Sequence, residues 1–220
     1  MGAVLAILLA GLICVAAALL LYARVSLRRK LETRFRESLQ AFGTAFELRY
    51  PVHRGQTSRV VALSRMVGER MRLSERRQRD LELSAQLRDI GLCALPYSLL
   101  NDRPYLEWTE AEHRAYMLHP ELSADMLEFI PALRHLAAIV RSHHLPYRVP
   151  GKPASRSLPI EARILKAVAD LVWFEKWHGA DAARMVREGA GTEYDPKVVA
   201  ALTAVLTSEG VRAGPAAAVP

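Results

Sequence analysis

Between Leu81 and Leu92 the chain reads LELSAQLRDIGL, and the reading of this stretch decides the fold. Leu81, Leu83, Leu87 and Ile90 fall at helical spacing, so the segment has one apolar face and is expected to be a buried helix. Gly91 supplies a stop, since glycine readily ends helices. Arg88 and Asp89 stand at the end of this helix, and the chemistry of the chain turns on them.

Periodicity on either side predicts helices at about 56–72, 75–90, 109–129, 133–144, 160–178, 180–189 and 196–208. Thr109 with Glu112 makes a capping box, and Asp195-Pro196 opens the last helix. No segment shows convincing strand alternation, so the class is all-α. The stretch LPYRVPGKPASRSLP, from Leu145 to Pro159, has too many prolines to form an element, and the tail from residue 209 to 220 is expected to be disordered.

Upstream, Met1 to Ala23 carries no charged side chain and is rich in Leu, Ala, Ile and Val. At about 1.5 Å per residue it is long enough to cross a hydrocarbon core of about 30 Å. Positive charge follows it, at Arg24, Arg28, Arg29, Lys30, Arg34 and Arg36. A cleaved leader would carry that charge before the apolar run, so residues 1–23 read as a retained transmembrane anchor. The positive-inside rule then places the N-terminus outside and the remainder in the cytoplasm, at a bacterial inner membrane. Residues 24–49 continue the helical pattern through Leu27, Leu31, Phe35, Leu39, Phe42 and Phe46. Two readings stand for this juxtamembrane helix: the seam of a homodimer, or a helix laid on the domain that follows. Tyr50-Pro51 breaks the pattern and opens a globular part over residues 50–208.

The net charge of +7 favours an anionic surface, and much of the excess lies just after the apolar run, so a membrane accounts for it. Aromatic-basic clusters and finger-like Cys/His spacing are absent, which weighs against nucleic acid. Cys14 and Cys93 are too few for a disulfide framework.

Clusters of His and carboxylate on neighbouring helices are how an all-helical fold builds a metal site. Asp89, His119, His143, His144 and Asp170 have that character. Neighbours on a helix point about 100° apart, so His143 and His144 are expected to serve two metals, or one metal and one phosphate.

Seven stretches between Pro51 and Leu202, in order, resemble the HD-GYP branch of the HD superfamily of metal-dependent phosphohydrolases. They are Gly55 to Val60, the Arg88-Asp89 pair, Leu95 to Leu100, Leu106 to Glu112 with His119-Pro120, His143-His144, Pro159 to Asp170, and Gly191 to Pro196. The resemblance implies a helical bundle that binds iron or manganese. It also implies Asp89, His119, His143, His144 and Asp170 as metal ligands, and cyclic di-GMP as the substrate of active members.

The departures cluster where chemistry would occur. Where the family has metal-binding His, this chain has Gln56 and Arg88; where it has Lys, this chain has Leu92; the loop that names the branch is replaced around Pro150 to Pro153. Guanidinium stays protonated and offers no lone pair, so Arg88 removes a donor and repels a dication. A single iron or manganese ion, or none, is therefore expected.

Three readings follow. The first is a degenerate, membrane-anchored module that binds a cyclic dinucleotide or a signalling protein without hydrolysis, with Arg88 and Lys152 available to a phosphate. The second is a phosphodiesterase with a reduced metal set and Asp89 as its catalytic residue. The third is a purely structural membrane-proximal protein.

Overall fold

Apolar side chains three and four residues apart become helices, and the computed structural model describes residues 1–101, 107–148 and 158–208. The α-helices are α1 (Gly2–Arg49), α2 (Gln56–Arg70), α3 (Glu75–Leu87), α4 (Tyr97–Asn101), α5 (Glu110–Tyr116), α6 (His119–Glu128), α7 (Ala137–Arg141), α8 (Ile160–His178), α9 (Ala182–Glu188) and α10 (Pro196–Ser208). Short 3-10 turns lie at Pro51–His53, Ile90–Ala94, Arg134–Leu136 and Gly179–Asp181. No β-strand occurs among the described residues; one isolated bridge joins Ala190 to Tyr194. The chain is all-helical, as the periodicity predicts.

The chain divides into two units, Met1–Phe42 and Gly43–Pro220. In the first unit α1 runs unbroken past Ala23, with Leu5, Leu8, Leu12, Leu19 and Leu20 exposed along it. By length and composition α1 is apolar enough to cross a membrane.

In the second unit α8 is the central helix, packed against α2, α3, α7, α9 and α10. Ala162, Ile164, Leu165, Ala167, Val168 and Leu171 are buried along it. Three ion pairs tie it down: Arg59 to Glu175 at 2.6 Å, Arg77 to Glu161 at 2.6 Å, and Arg163 to Asp195 at 2.7 Å. Asp195 also accepts from the Lys197 backbone N–H at 2.9 Å, which starts α10 where Asp195-Pro196 predicts. Thr109 and Glu112 form the expected capping box on α5. A second apolar cluster gathers Phe46, Tyr50, Leu92, Leu95, Leu99, Leu100 and Trp108. Tyr50 donates its hydroxyl to the Leu92 carbonyl at 3.2 Å inside that cluster.

Three predicted helices are cut short or divided by local breaks. The segment 75–90 ends at Leu87, because Asp89 leaves the helical region (φ −101°, ψ 6°) and the Gly91 N–H goes to Ser123 Oγ at 2.8 Å. The segment 109–129 divides into α5 and α6, since Pro120 has no N–H and can sit only in a first turn. The segment 133–144 reduces to a 3-10 turn and α7, ending at Arg141. The Pro-rich loop, including Lys152, Arg156 and most of its other residues, lies outside the described residues, as does the tail.

Gly91 is the tightest contact between the α3 end and α6. A Cβ there would lie 2.5 Å from the His119 carbonyl oxygen and 2.5 Å from the Ser123 backbone nitrogen, neither of which can swing aside. Overpacking against backbone costs about 1–3 kcal/mol. Gly91→Ala is expected to destabilise the second unit by that amount, measured as a lowered midpoint in thermal unfolding followed by circular dichroism; an unchanged midpoint would refute the packing described here.

Candidate metal centre

Helix breaks position the site. At the α5–α6 junction, Pro120 cannot donate to the carbonyl four residues back, that of Tyr116. The His119 Nδ1–H donates to that carbonyl at 2.7 Å. Past the end of α7, the Val140 carbonyl accepts from the His143 backbone N–H at 3.3 Å and from the His143 Nδ1–H at 2.6 Å. A carbonyl can only accept, so each Nδ1 carries a proton and Nε2 is the ring atom left to face the site; in His143, which burial keeps neutral, it presents a lone pair. Both Nε2 atoms are buried without a hydrogen-bond partner among the described residues. A backbone carbonyl behind an imidazole is the usual way a metal-binding histidine is oriented.

His119, His143 and His144 converge, with one ring nitrogen from each lying within 4.8 Å of the others. The ring centroids are 4.2 Å apart for His143 and His144 and 5.0 Å apart for His119 and His144. The 100° divergence of helical neighbours does not arise, because α7 has already ended and both residues lie in a turn. Burial holds His143 down to about 3 and His144 well below its ordinary value, with the neighbouring imidazoles adding to the effect.

Asp89 faces this cluster from the end of α3. Its Oδ1 lies 3.4 Å from His119 Nε2, and its Oδ2 lies 2.7 Å from Arg88 Nη2. With Nδ1 held by the Tyr116 carbonyl, His119 turns Nε2 toward the carboxylate, and a cation between them would be held by both. Burial opposes ionisation of Asp89, but the charge of the Arg88 guanidinium, with a hydrogen-bonding contact from His119 next, holds the carboxyl well below its usual range. Arg88 is itself buried and donates from Nη1 to the Ala85 carbonyl at 2.6 Å. Its guanidinium therefore occupies one side of Asp89, and the imidazoles occupy the other.

Asp170 lies apart from the three histidines. It lines the same cavity of about 270 Å³, but its Oδ2 accepts from Tyr194 at 3.0 Å and pairs with Lys166 at 3.1 Å. Gln56 also lines the cavity, from the first turn of α2. Leu92, where the resemblance expects Lys, is fully buried in the apolar cluster. Lys152 lies outside the described residues.

The structure adds His53, which the sequence reading passed over. It stands in the turn before α2, is buried, lines the cavity, and has an Nε2 without a partner among the described residues. The available signal was an imidazole three residues before Gln56, hidden because Tyr50-Pro51 marks that stretch as a break. Burial lowers His53 to about 4.

These buried neutral rings set a pH dependence. The unfolded chain takes up protons at His53 and His143 near pH 6.5, while the native chain refuses them until about pH 4 and about 3. Stability is thus unaffected by these groups above pH 6.5 and falls as pH drops below it, by about 1.4 kcal/mol per pH unit for each histidine. Denaturant titrations of the metal-free protein between pH 7.5 and 4.5 are expected to show that decline; a flat profile would mean the rings are not buried neutral.

A family model described as "HD domain" matches residues 42–198. The chain is 31% identical over 189 residues to the cyclic di-GMP phosphodiesterase response regulator RpfG of Xanthomonas campestris pv. campestris, strain 8004, covering 79% of this chain and 48% of that protein. Its fold is similar to that of a cyclic GMP-AMP specific phosphodiesterase of V. cholerae, with a TM-score of 0.54 and 17% identity over 72% of this chain and 44% of the other. The chain spans about half the length of these relatives. The helical bundle, the site at its helix breaks and the family match agree: this chain belongs to the HD domain family of phosphohydrolases.

Proposed function

We propose that this chain is a membrane-anchored, HD-GYP-like signalling module that binds a cyclic dinucleotide at a site with a reduced metal complement and does not hydrolyse it. The observation that carries the reading is the buried Arg88 guanidinium, 2.7 Å from Asp89. A permanent cation on the central carboxylate takes the place of a second metal, so the paired-metal activation of a phosphoester is lost.

The remaining donors suit one ion. Asp89, His119, His143 and His144 supply one carboxylate and three imidazoles, a set that fits iron or manganese among others. Asp170 can join them only by giving up Lys166 and Tyr194. An ion bound there supplies positive charge to a phosphoester oxygen. Around it, Lys166 at the cavity wall adds a cation, while Trp173 and Phe174 add aromatic surface. That combination suits a ligand with both phosphate and base. The names of the relatives make cyclic di-GMP the first ligand to test.

The second reading is a phosphodiesterase working with this reduced metal set and with Asp89 at its centre. The buried Nε2 atoms of His119 and His143 favour it, since such polar atoms are costly to bury without a hydrogen-bond partner. Several members of the catalytic set are replaced together, however, and removing even single members of such sets lowers rates by orders of magnitude.

Full-length protein titrated calorimetrically with cyclic di-GMP, with and without manganese, is expected to bind it and leave it intact by chromatography. The double variant Gln56→His, Arg88→His is expected to raise the metal content by one ion per chain. Turnover by the unaltered protein would overturn the first reading in favour of the second. Absence of binding under both conditions would remove cyclic di-GMP as the ligand and leave a protein partner or the structural role.

Residues 1–23 form the anchor in this proposal, residues 24–49 the helix that continues it, and residues 50–208 the cytoplasmic domain at a bacterial inner membrane. The arginines after Ala23 support this orientation. A C-terminal green fluorescent protein fusion is expected to fluoresce and a C-terminal alkaline phosphatase fusion to be inactive; the reverse would invert the topology.

A further inference from the structure

His53 occupies a position that core packing alone does not explain. The ring lies between Phe46, at 5.5 Å between centroids, and Trp173, at 5.8 Å and 29°. Only 3% of the residue is exposed, yet Nε2 has no hydrogen-bond partner among the described residues. Buried imidazole nitrogens ordinarily have one. The cavity that His53 lines also takes Gln56, Asp89, His143 and His144 into its wall, and Asp89 is the group whose charge acts most strongly on the ring.

The α2 end of this cavity is poor in donors. Gln56 stands in the first turn of α2, where the resemblance expects an imidazole, and a carboxamide oxygen is a weak ligand for a transition metal. His53 stands three residues earlier, in the Pro51–His53 turn. The turn is fixed by the His53 N–H donating to Tyr50 at 2.9 Å and the Arg54 N–H donating to Pro51 at 3.1 Å. Tyr50 is fully buried, so the backbone that carries His53 is anchored in the core. The flanking aromatic rings restrict the imidazole further. An unpartnered nitrogen on a fixed support, in the wall of one cavity with a carboxylate and two more imidazoles, has the character of a ligand.

We infer that His53 supplies through Nε2 the imidazole missing at Gln56, and with Asp89, His119, His143 and His144 completes the donor set for a single divalent transition metal. The inference rests on the reading of this cavity as a metal site. It makes the thinned site a relocated one at its α2 edge: the imidazole comes from the turn ahead of the helix.

The test uses the full-length protein in detergent, stripped with chelator and titrated with cobalt(II), read by calorimetry and by the visible absorption of the bound ion. His53→Phe keeps the ring between Phe46 and Trp173 and removes the nitrogen. It is expected to weaken cobalt binding at least about tenfold and to shift the absorption bands. His143→Ala is expected to do the same. His135→Ala is expected to change neither, because that partly exposed ring is held by Asp80 at 3.1 Å on the surface. His53→Asn, with a small polar side chain, gives the same readout if the Phe variant misfolds by circular dichroism. Wild-type affinity and spectrum in the His53 variants, with loss in His143→Ala, would overturn the inference and leave the metal site standing. No cobalt binding by the unaltered protein would overturn both.

Discussion

A buried carboxylate must be matched by positive charge or hydrogen bonds, and that requirement at Asp89 governs this molecule. Desolvation alone would protonate it, but Arg88 at 2.7 Å keeps it ionised. Arg88 is itself almost fully buried, and its second contact is the Ala85 carbonyl in the last turn of α3. Removing either partner would leave a charge in the interior, which typically costs about 3–5 kcal/mol. The pair thus ties the end of α3 to the site, and it fixes which face of the carboxylate remains open. That open face meets His119, His143 and His144.

The charge balance of the cavity follows. Arg88 and Lys166 bring two cations, and Asp89 and Asp170 bring two carboxylates. Lys166 and Tyr194 hold Asp170 much as Arg88 holds Asp89, so each acid already has a partner in the protein. A cavity with internal pairing of this kind can persist with few metal ions or none. The imidazoles are the groups left without such pairing, and they lie where an ion would be held by nitrogen as much as by oxygen.

The sequence showed the helices where one rule governed a whole segment. The bounds of α8 and α10 match the periodicity, and the Thr109–Glu112 capping box and the Asp195-Pro196 start are seen as expected. It misjudged places where a local break competes with continuing apolar spacing, at Arg88–Gly91, Met117–Leu118 and Ser142–His144. Pro120 gave notice of one break; the break at Gly91 depends on a contact distant in sequence, Ser123 accepting from Gly91. Leu92 read as an eroded site position, whereas its side chain belongs to the apolar cluster around Tyr50. His53 escaped notice because its role depends on a fold that brings the turn before α2 beside Asp89, and no local pattern encodes that proximity.

The aim of His119 and His143 is set by main chain, through the Tyr116 and Val140 carbonyls beside helix breaks. Side chains in the surrounding wall can therefore be exchanged without turning these two rings aside. A family member that loses ligands elsewhere still inherits a pair of pre-aimed nitrogens, which makes the site reversible in evolution: the route back to a fuller metal set runs through a few side chains, with the backbone already in place.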